Sequence, residues 1–91
     1  MSVTVKLPTQ LRASAGGEGT IEVEGATVGE ALEALYGAHP ELRERLSDED
    51  GTLRRFINVY VAGDDIRFGE LLDTPVFDGQ EVQILPAVAG G

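Results

Sequence analysis

The sequence predicts one α+β domain, a small mixed β-sheet with a single main helix packed across one face. Three observations predict it. Apolar and polar residues alternate over short runs near both ends and in the middle of the chain, which is the period of half-buried strands. One stretch beginning at Val28 instead carries its apolar residues at helical spacing. Finally, 91 residues with 42% hydrophobic content supply one core, with no length left for a second.

Val3, Val5 and Leu7 alternate with Ser2, Thr4 and Lys6 as a first strand, which Pro8 stops. Ala15-Gly16-Gly17-Glu18-Gly19 supplies turn residues, and Ile21 and Val23 then alternate with Thr20, Glu22 and Glu24 as a second strand. The connection reads as a hairpin with a wide loop. Thr27-Val28-Gly29-Glu30 has the spacing in which the Thr hydroxyl accepts from the third helical amide while the Glu carboxylate reaches back to the cap amide, so a helix begins there. Behind it Val28, Ala31, Leu32, Leu35 and Tyr36 form one apolar stripe, which must lie on the sheet. Gly37 reads as a left-handed terminator, and Pro40 opens a second short helical stretch with Leu42 and Leu46 on its inner side.

Ser47 to Thr52 reads as a solvated loop and Phe56 to Val61 as a strand with both faces partly buried. Ala62-Gly63-Asp64-Asp65 turns the chain into a strand at Ile66-Arg67-Phe68, followed by a compact segment carrying Leu71, Leu72 and Val76. Asp78-Gly79 marks another turn, and Val82 and Ile84 alternate with Glu81 and Gln83 in the last strand. Pro86 lacks an amide donor, so the ladder ends near it and leaves Ala87-Val88-Ala89-Gly90-Gly91 as a flexible tail. Two strands, a crossover helix and three strands make the β-grasp or ubiquitin-like arrangement, with the first and last strands side by side in the centre. A ferredoxin-like sheet would need a second full-length helix. Residues 1–91 are therefore one domain, of which 86–91 form the reactive tail.

Composition narrows the function. With no Cys, the chain holds no disulfide, thiolate nucleophile or Cys-ligated metal, so any sulfur it handles sits elsewhere. A formal charge of −9 argues against nucleic acid as a partner, since phosphate binding draws on clustered Lys and Arg. Neither a charged leader nor an apolar run of membrane-spanning length is present, which points to a cytoplasmic protein that does not enter a membrane. A free monomer is the expected state.

No side-chain constellation suggests an enzyme. The sole histidine, His39, lies between the two helical stretches and reads as a helix-end residue. Gly16-Gly17-x-Gly19 lacks the strand-to-helix setting of a phosphate loop, while Asp64-Asp65 and Glu22 with Glu24 read as turn formers and a solvated strand face. The chemistry is instead expected at the carboxylate of Gly91. A carboxylate that reacts inside another enzyme's active site needs a thin, extended approach, and Gly90 and Gly91 have no Cβ to obstruct it. Attack of that carboxylate on the α-phosphate of ATP would expel pyrophosphate and give an acyl adenylate open to a sulfur nucleophile. ATP and magnesium belong to the activating partner, so no bound cofactor and no metal site are expected in this chain.

Ile84-Leu85-Pro86-Ala87-Val88-Ala89-Gly90-Gly91 resembles the strand, Pro and Val-Ala-Gly-Gly ending of the small sulfur-carrier proteins of the MoaD and ThiS type. Asn58-Val59-Tyr60-Val61 and Asp78-Gly79-Gln80-Glu81-Val82 are similar to that family's asparagine-bearing strand and Asp-Gly-x-Glu-Val turn. Leu7-Pro8-Thr9, Arg55-Phe56-Ile57 and Asp65-Ile66-Arg67-Phe68 extend the resemblance toward carriers of a cysteine-synthesis route. Leu85-Pro86-Ala87 stands where molybdopterin-type carriers have Phe-Pro-Pro.

The resemblance implies that an E1-like adenylyltransferase and sulfurtransferase step converts Gly91 to a thiocarboxylate, with Gly90, Ala89 and Val88 recognised as the tail. It also implies that the sulfur passes to a pyridoxal-phosphate-dependent cysteine synthase, and that a metalloprotease then releases cysteine from Gly91. Phe56, Tyr60 and Phe68 are candidates for partner docking. Carriers for molybdopterin or thiamine synthesis, ubiquitin-like modifiers that pass the carboxylate to lysine, and an interaction domain with an inert tail remain the alternatives.

Overall fold

The structure is a computed structural model that describes residues 2–49, 52–54, 57–66 and 69–86. Its elements in chain order are β1 (Ser2–Lys6), α1 (Thr9–Arg12), a 3-10 turn (Ala13–Ala15), β2 (Thr20–Glu24), α2 (Val28–Ala38), α3 (Glu41–Leu46), β3 (Ile57–Val61), β4 (Asp64–Asp65), a second 3-10 turn (Leu71–Asp73) and β5 (Glu81–Pro86). The strands form one five-stranded sheet in the order β2-β1-β5-β3-β4. β1 and β5 lie side by side and parallel, and the other pairs are antiparallel. This is the expected β-grasp sheet, with the first and last strands in the middle.

The alternation in the strands decides what is buried. Val3 and Val5 of β1, Ile57, Val59 and Val61 of β3, and Val82 and Ile84 of β5 point into one core. There they meet Val28, Ala31, Leu32, Leu35 and Tyr36 of α2, together with Leu42 and Leu46 of α3. Fully burying one such Leu or Ile contributes about 1.5–3 kcal/mol. Asn58 and Tyr60, the alternate residues of β3, are half-buried on the opposite face.

α2 begins where the cap spacing places it. The Glu30 amide donates to Thr27 Oγ1 at 3.1 Å, but Glu30 Oε1 accepts from the Ala26 amide at 2.9 Å, one residue before the cap. A short bridge holds this helix start, with the Val28 amide donating to the Thr74 carbonyl at 2.9 Å and the Val76 amide to that of Ala26 at 3.0 Å.

Three expectations are corrected. The stretch after Pro8 is not only loop: Pro8 caps α1, and Leu11 and Ala15, four residues apart, bury at 7% and 0% exposure beneath the sheet end. The chain then turns through left-handed Gly16 and Gly17 and closes back with the Leu7 amide donating to the Gly19 carbonyl at 2.8 Å.

Gly37 is inside α2 and does not stop it. The helix runs to Ala38 and ends at His39 (φ −135°), because the residue before a proline is pushed out of the helical region and Pro40 follows. His39 is thus the helix-end residue it was expected to be, with its amide donating to the Leu35 carbonyl.

The third correction concerns β4. The hairpin after β3 uses a two-residue turn, Ala62 (φ 52°) and Gly63 (φ 89°), both left-handed as such hairpins require. Val61 therefore pairs with Asp64 and Tyr60 with Asp65. The strand is Asp64–Asp65 rather than Ile66-Arg67-Phe68: Ile66 leaves the ladder and is buried at 2% exposure, and residues 67 and 68 lie outside the described residues.

Candidate functional site

The tail follows the central strand of the sheet. β5 is paired along its length, to β1 from Glu81 to Gln83 and to β3 from Val82 to Pro86, and its last residue, Pro86, sits opposite Ile57. The segment beyond Pro86 therefore continues from a strand that β3 holds up to its last residue. Gly91, Gly90, Ala89 and Val88 lie outside the described residues, as do Phe56 and Phe68. Of the expected docking residues Tyr60 is described: it is half-buried on the face of the sheet turned away from α2, between Gln83 of β5 and Asp65 of β4.

The register assembles that open face. From the tail root inward it carries Leu85 beside Asn58, then a row of Thr20, Lys6, Gln83, Tyr60 and Asp65, then Glu22, Thr4 and Glu81, and at its far end Ser2 with Glu24. Leu85 is 37% exposed. Lys6 Nζ lies 3.7 Å from Glu81 Oε2, a pair about half exposed on both sides and worth at most about 1 kcal/mol. Ser2 Oγ donates to Glu22 Oε1 at 3.4 Å, and the Ser2 amide donates to Asp78 Oδ1 at 2.9 Å. Asn58 Oδ1 is enclosed and finds no donor among the described residues. Sequence reasoning quoted Asn58, Leu85 and Glu81 only within motifs and Lys6 only within its strand, and did not bring the four together on one face. The signal available was their position, out of phase with the buried Val and Ile of the same strands.

The perturbed titratable groups lie on the helical side, away from the tail root. Arg43 binds Glu33 through both carboxylate oxygens, at 2.8 and 3.3 Å, and these bonds hold the Glu33 carboxyl below its ordinary range. The same guanidinium lies 4.9 Å above the Tyr36 ring. Burial pushes the Tyr36 phenol above its ordinary range, opposed by its 2.7 Å hydrogen bond with Ser47 Oγ. This cluster ties α2 to α3.

A groove of about 640 Å³ beside β3 is lined mainly by Leu53, Ile57, Val59, Ile66, Leu71 and Leu72, with Arg54, Glu70 and Asp73 also contributing to its lining. Leu71 there is exposed and held at a left-handed φ of 53°. Among the described residues no group of three or more His, Asp or Glu could hold a metal ion, and no helix is long and apolar enough to cross a membrane.

Comparison with known proteins gives a consistent result. The sequence pattern of the ThiS family matches residues 5–91. The sulfur carrier protein CysO of Mycobacterium tuberculosis is 44% identical over 93 aligned positions, covering 100% of both chains. Small archaeal modifier protein 1 of Haloferax volcanii is 43% identical over 72 positions, 78% of each chain. Among solved structures, a chain of the Amycolatopsis orientalis BexX/CysO complex superposes with a TM-score of 0.90 at 48% identity, covering 98% of this chain and 99% of that one. These relatives are small carriers or modifiers, and one of them is seen assembled with a partner protein. The chain belongs to the ThiS family: it is a ubiquitin-like, β-grasp sulfur-carrier protein of the ThiS/MoaD type, and not an enzyme.

Proposed function

We propose that the carboxylate of Gly91 carries the sulfur. An E1-like enzyme directs that carboxylate at the α-phosphate of ATP, pyrophosphate leaves, and a sulfur nucleophile displaces AMP to give a thiocarboxylate. The thiocarboxylate then donates its sulfur to cysteine synthesis, through a pyridoxal-phosphate-dependent synthase and a metalloprotease that frees the product from Gly91. ATP and magnesium are the activating enzyme's, and the carrier binds no cofactor of its own.

The observation that carries this reading is the match to proteins named CysO along the full length of both chains, Gly90-Gly91 included. The fold supports it. A tail that continues from a central strand, paired to β3 up to Pro86, can be pulled into a partner's channel while the sheet resists deformation, and Gly90 and Gly91 keep the approach narrow.

The test is ATP–pyrophosphate exchange with the purified activating enzyme of the same organism. Exchange should require the carrier, and deletion of Gly90 and Gly91 should abolish it with no loss of folded protein. Exchange that survives the deletion contradicts the proposal.

The similarity to small archaeal modifier protein 1 favours a second reading, in which the same activated carboxylate is passed to lysine amines. Its signature is Gly91 in isopeptide linkage to other proteins.

A further inference from the structure

Activation turns the carboxylate of Gly91 into an electrophile, so the chain's own nucleophiles decide what that end meets when no partner holds it. The chain has no Cys. Of its seven Lys and Arg residues six are arginine, and a guanidinium stays protonated and does not attack a carbonyl. His39, the single histidine, ends α2 in the helical layer. Lys6 is the only side-chain amine, and it lies on β1 in the middle of the sheet.

The register brings that amine within reach of the tail. Lys6 pairs with Gln83 in the parallel ladder of β1 and β5, three residues before Pro86. The Lys6 Cα is thus about 11 Å from that of Pro86, about 10 Å along the strand and about 5 Å across it. The five residues 87–91 span up to about 17 Å, so one reversal of the chain brings Gly91 to Lys6, whose four-carbon stem shortens the gap further. Lys6 stands about half exposed on the face turned away from the helices. Its Nζ is drawn the other way, to 3.7 Å from Glu81 Oε2, and Glu81 precedes Gln83 by two residues on the side away from the tail.

We propose that Lys6 is a self-acylation site, at which an activated Gly91 free of its partner closes on its own chain, and that Glu81 restrains this closure. The proposal rests on the activation of Gly91 proposed above. The unprotonated Nζ attacks the Gly91 carbonyl carbon and a C–N bond forms. The bond to the leaving group, AMP in an adenylate or a thiol in a thioester, breaks with its electron pair, and the nitrogen gives its surplus proton to solvent. The closed chain has no free α-carboxylate and cannot be activated again. Closure within one chain outruns the joining of two because the folded sheet holds the amine and the root of the tail a short, fixed distance apart. Glu81 opposes it by holding the ammonium in an ion pair aimed away from the tail. That pair is half exposed, so the restraint is partial and weakens with salt.

The experiment uses the full-length chain with Gly91 prepared as the thioester of a small thiol, kept dilute and followed by intact mass and peptide mapping. The closed chain is lighter than the hydrolysed one by one water. The wild type should yield it, with Lys6 and Gly91 joined in one branched peptide. Lys6→Arg keeps a cation beside Glu81 and should only hydrolyse. Glu81→Gln should close about threefold faster than the wild type, and added salt should speed the wild type while leaving Glu81→Gln unchanged. In urea that unfolds the chain, closure should slow about fivefold relative to hydrolysis, because the sheet no longer brings Lys6 to the tail.

A wild type that only hydrolyses, a closed product that survives Lys6→Arg, or two chains joined in place of one closed chain overturns the site. Equal closure by Glu81→Gln and wild type overturns the restraint, and equal closure in urea overturns the role of the fold. The thioester needs no activating enzyme, so these outcomes are separate from a failure of pyrophosphate exchange, which would count against the carrier function itself.

Discussion

The two faces of one sheet differ in nearly every physical respect. Val3, Val5, Val59, Val82 and Ile84 point into a core at 1% exposure or less, where α2 and α3 cover them. Their immediate neighbours Thr4, Lys6, Tyr60, Glu81 and Gln83 point out to a polar, acidic face that receives no apolar residue from the helices. A strand alternates its side chains every residue, so the 23 residues of the five strands put apolar side chains on one side and polar ones on the other, with about 3.3 Å of rise between the two. The lesson is that substitutions on the covered face act through folding, whereas those on the open face leave the core untouched.

The largest effect that sharpens this contrast is removal of Gly91. Thiocarboxylate formation should vanish while thermal unfolding stays at the wild-type midpoint, read by mass spectrometry and calorimetry on the same sample. Leu35→Ala should do the reverse. It empties a fully buried position and should cost about 2–5 kcal/mol in denaturant unfolding, with any loss of transfer explained by the unfolded fraction.

Thr27→Ala removes the side-chain acceptor of the Glu30 amide and should cost about 1 kcal/mol by the same measurement. Tyr36 gives a pH-dependent effect. Burial raises its phenol above the ordinary 10.0, so the neutral form is favoured by folding; stability is constant below that pH and falls as pH rises through the raised value. Tyr36→Phe should lose that alkaline decline and, by leaving Ser47 Oγ without its partner, cost about 1 kcal/mol at neutral pH. At the small end, Gln83→Ala on the open face should move stability by no more than about 0.5 kcal/mol.

Most of the fold was legible because local physics dictates it. The alternation around Val3 and Val5, the stripe from Val28 to Tyr36 and the Thr27–Glu30 cap each announce an element without help from the rest of the chain. The elements misread are those in which a competing local effect wins. Leu11 and Ala15 are too few to mark a helix beside three glycines, and they become helical because the end of the sheet offers them a place to bury. Gly37 reads as a stop only if the restriction Pro40 places on His39 is overlooked. β4 shifts because a two-residue turn at Ala62 and Gly63 leaves no room for a longer one.

The tail could be singled out from the sequence, since Gly90 and Gly91 follow Pro86 and the chain has no Cys, and the chemistry assigned to it is the proposal that the measurement below tests. The open face could not. That Glu22, Glu81 and Lys6 are neighbours, and that Asn58 stands beside Leu85, follows from the pairing of β1 with β2 and β5 and of β3 with β5, which no single segment encodes.

The central claim is that a rigid sheet presents Gly91 as the sulfur-bearing atom group, and intact mass tests it most directly. Untagged protein from host cells assimilating sulfur, with its C-terminal fragment mapped, should show one oxygen of Gly91 exchanged for sulfur, or cysteine joined to Gly91 by an amide. A terminus that remains an ordinary carboxylate, even after incubation with ATP and the activating enzyme, would contradict the account.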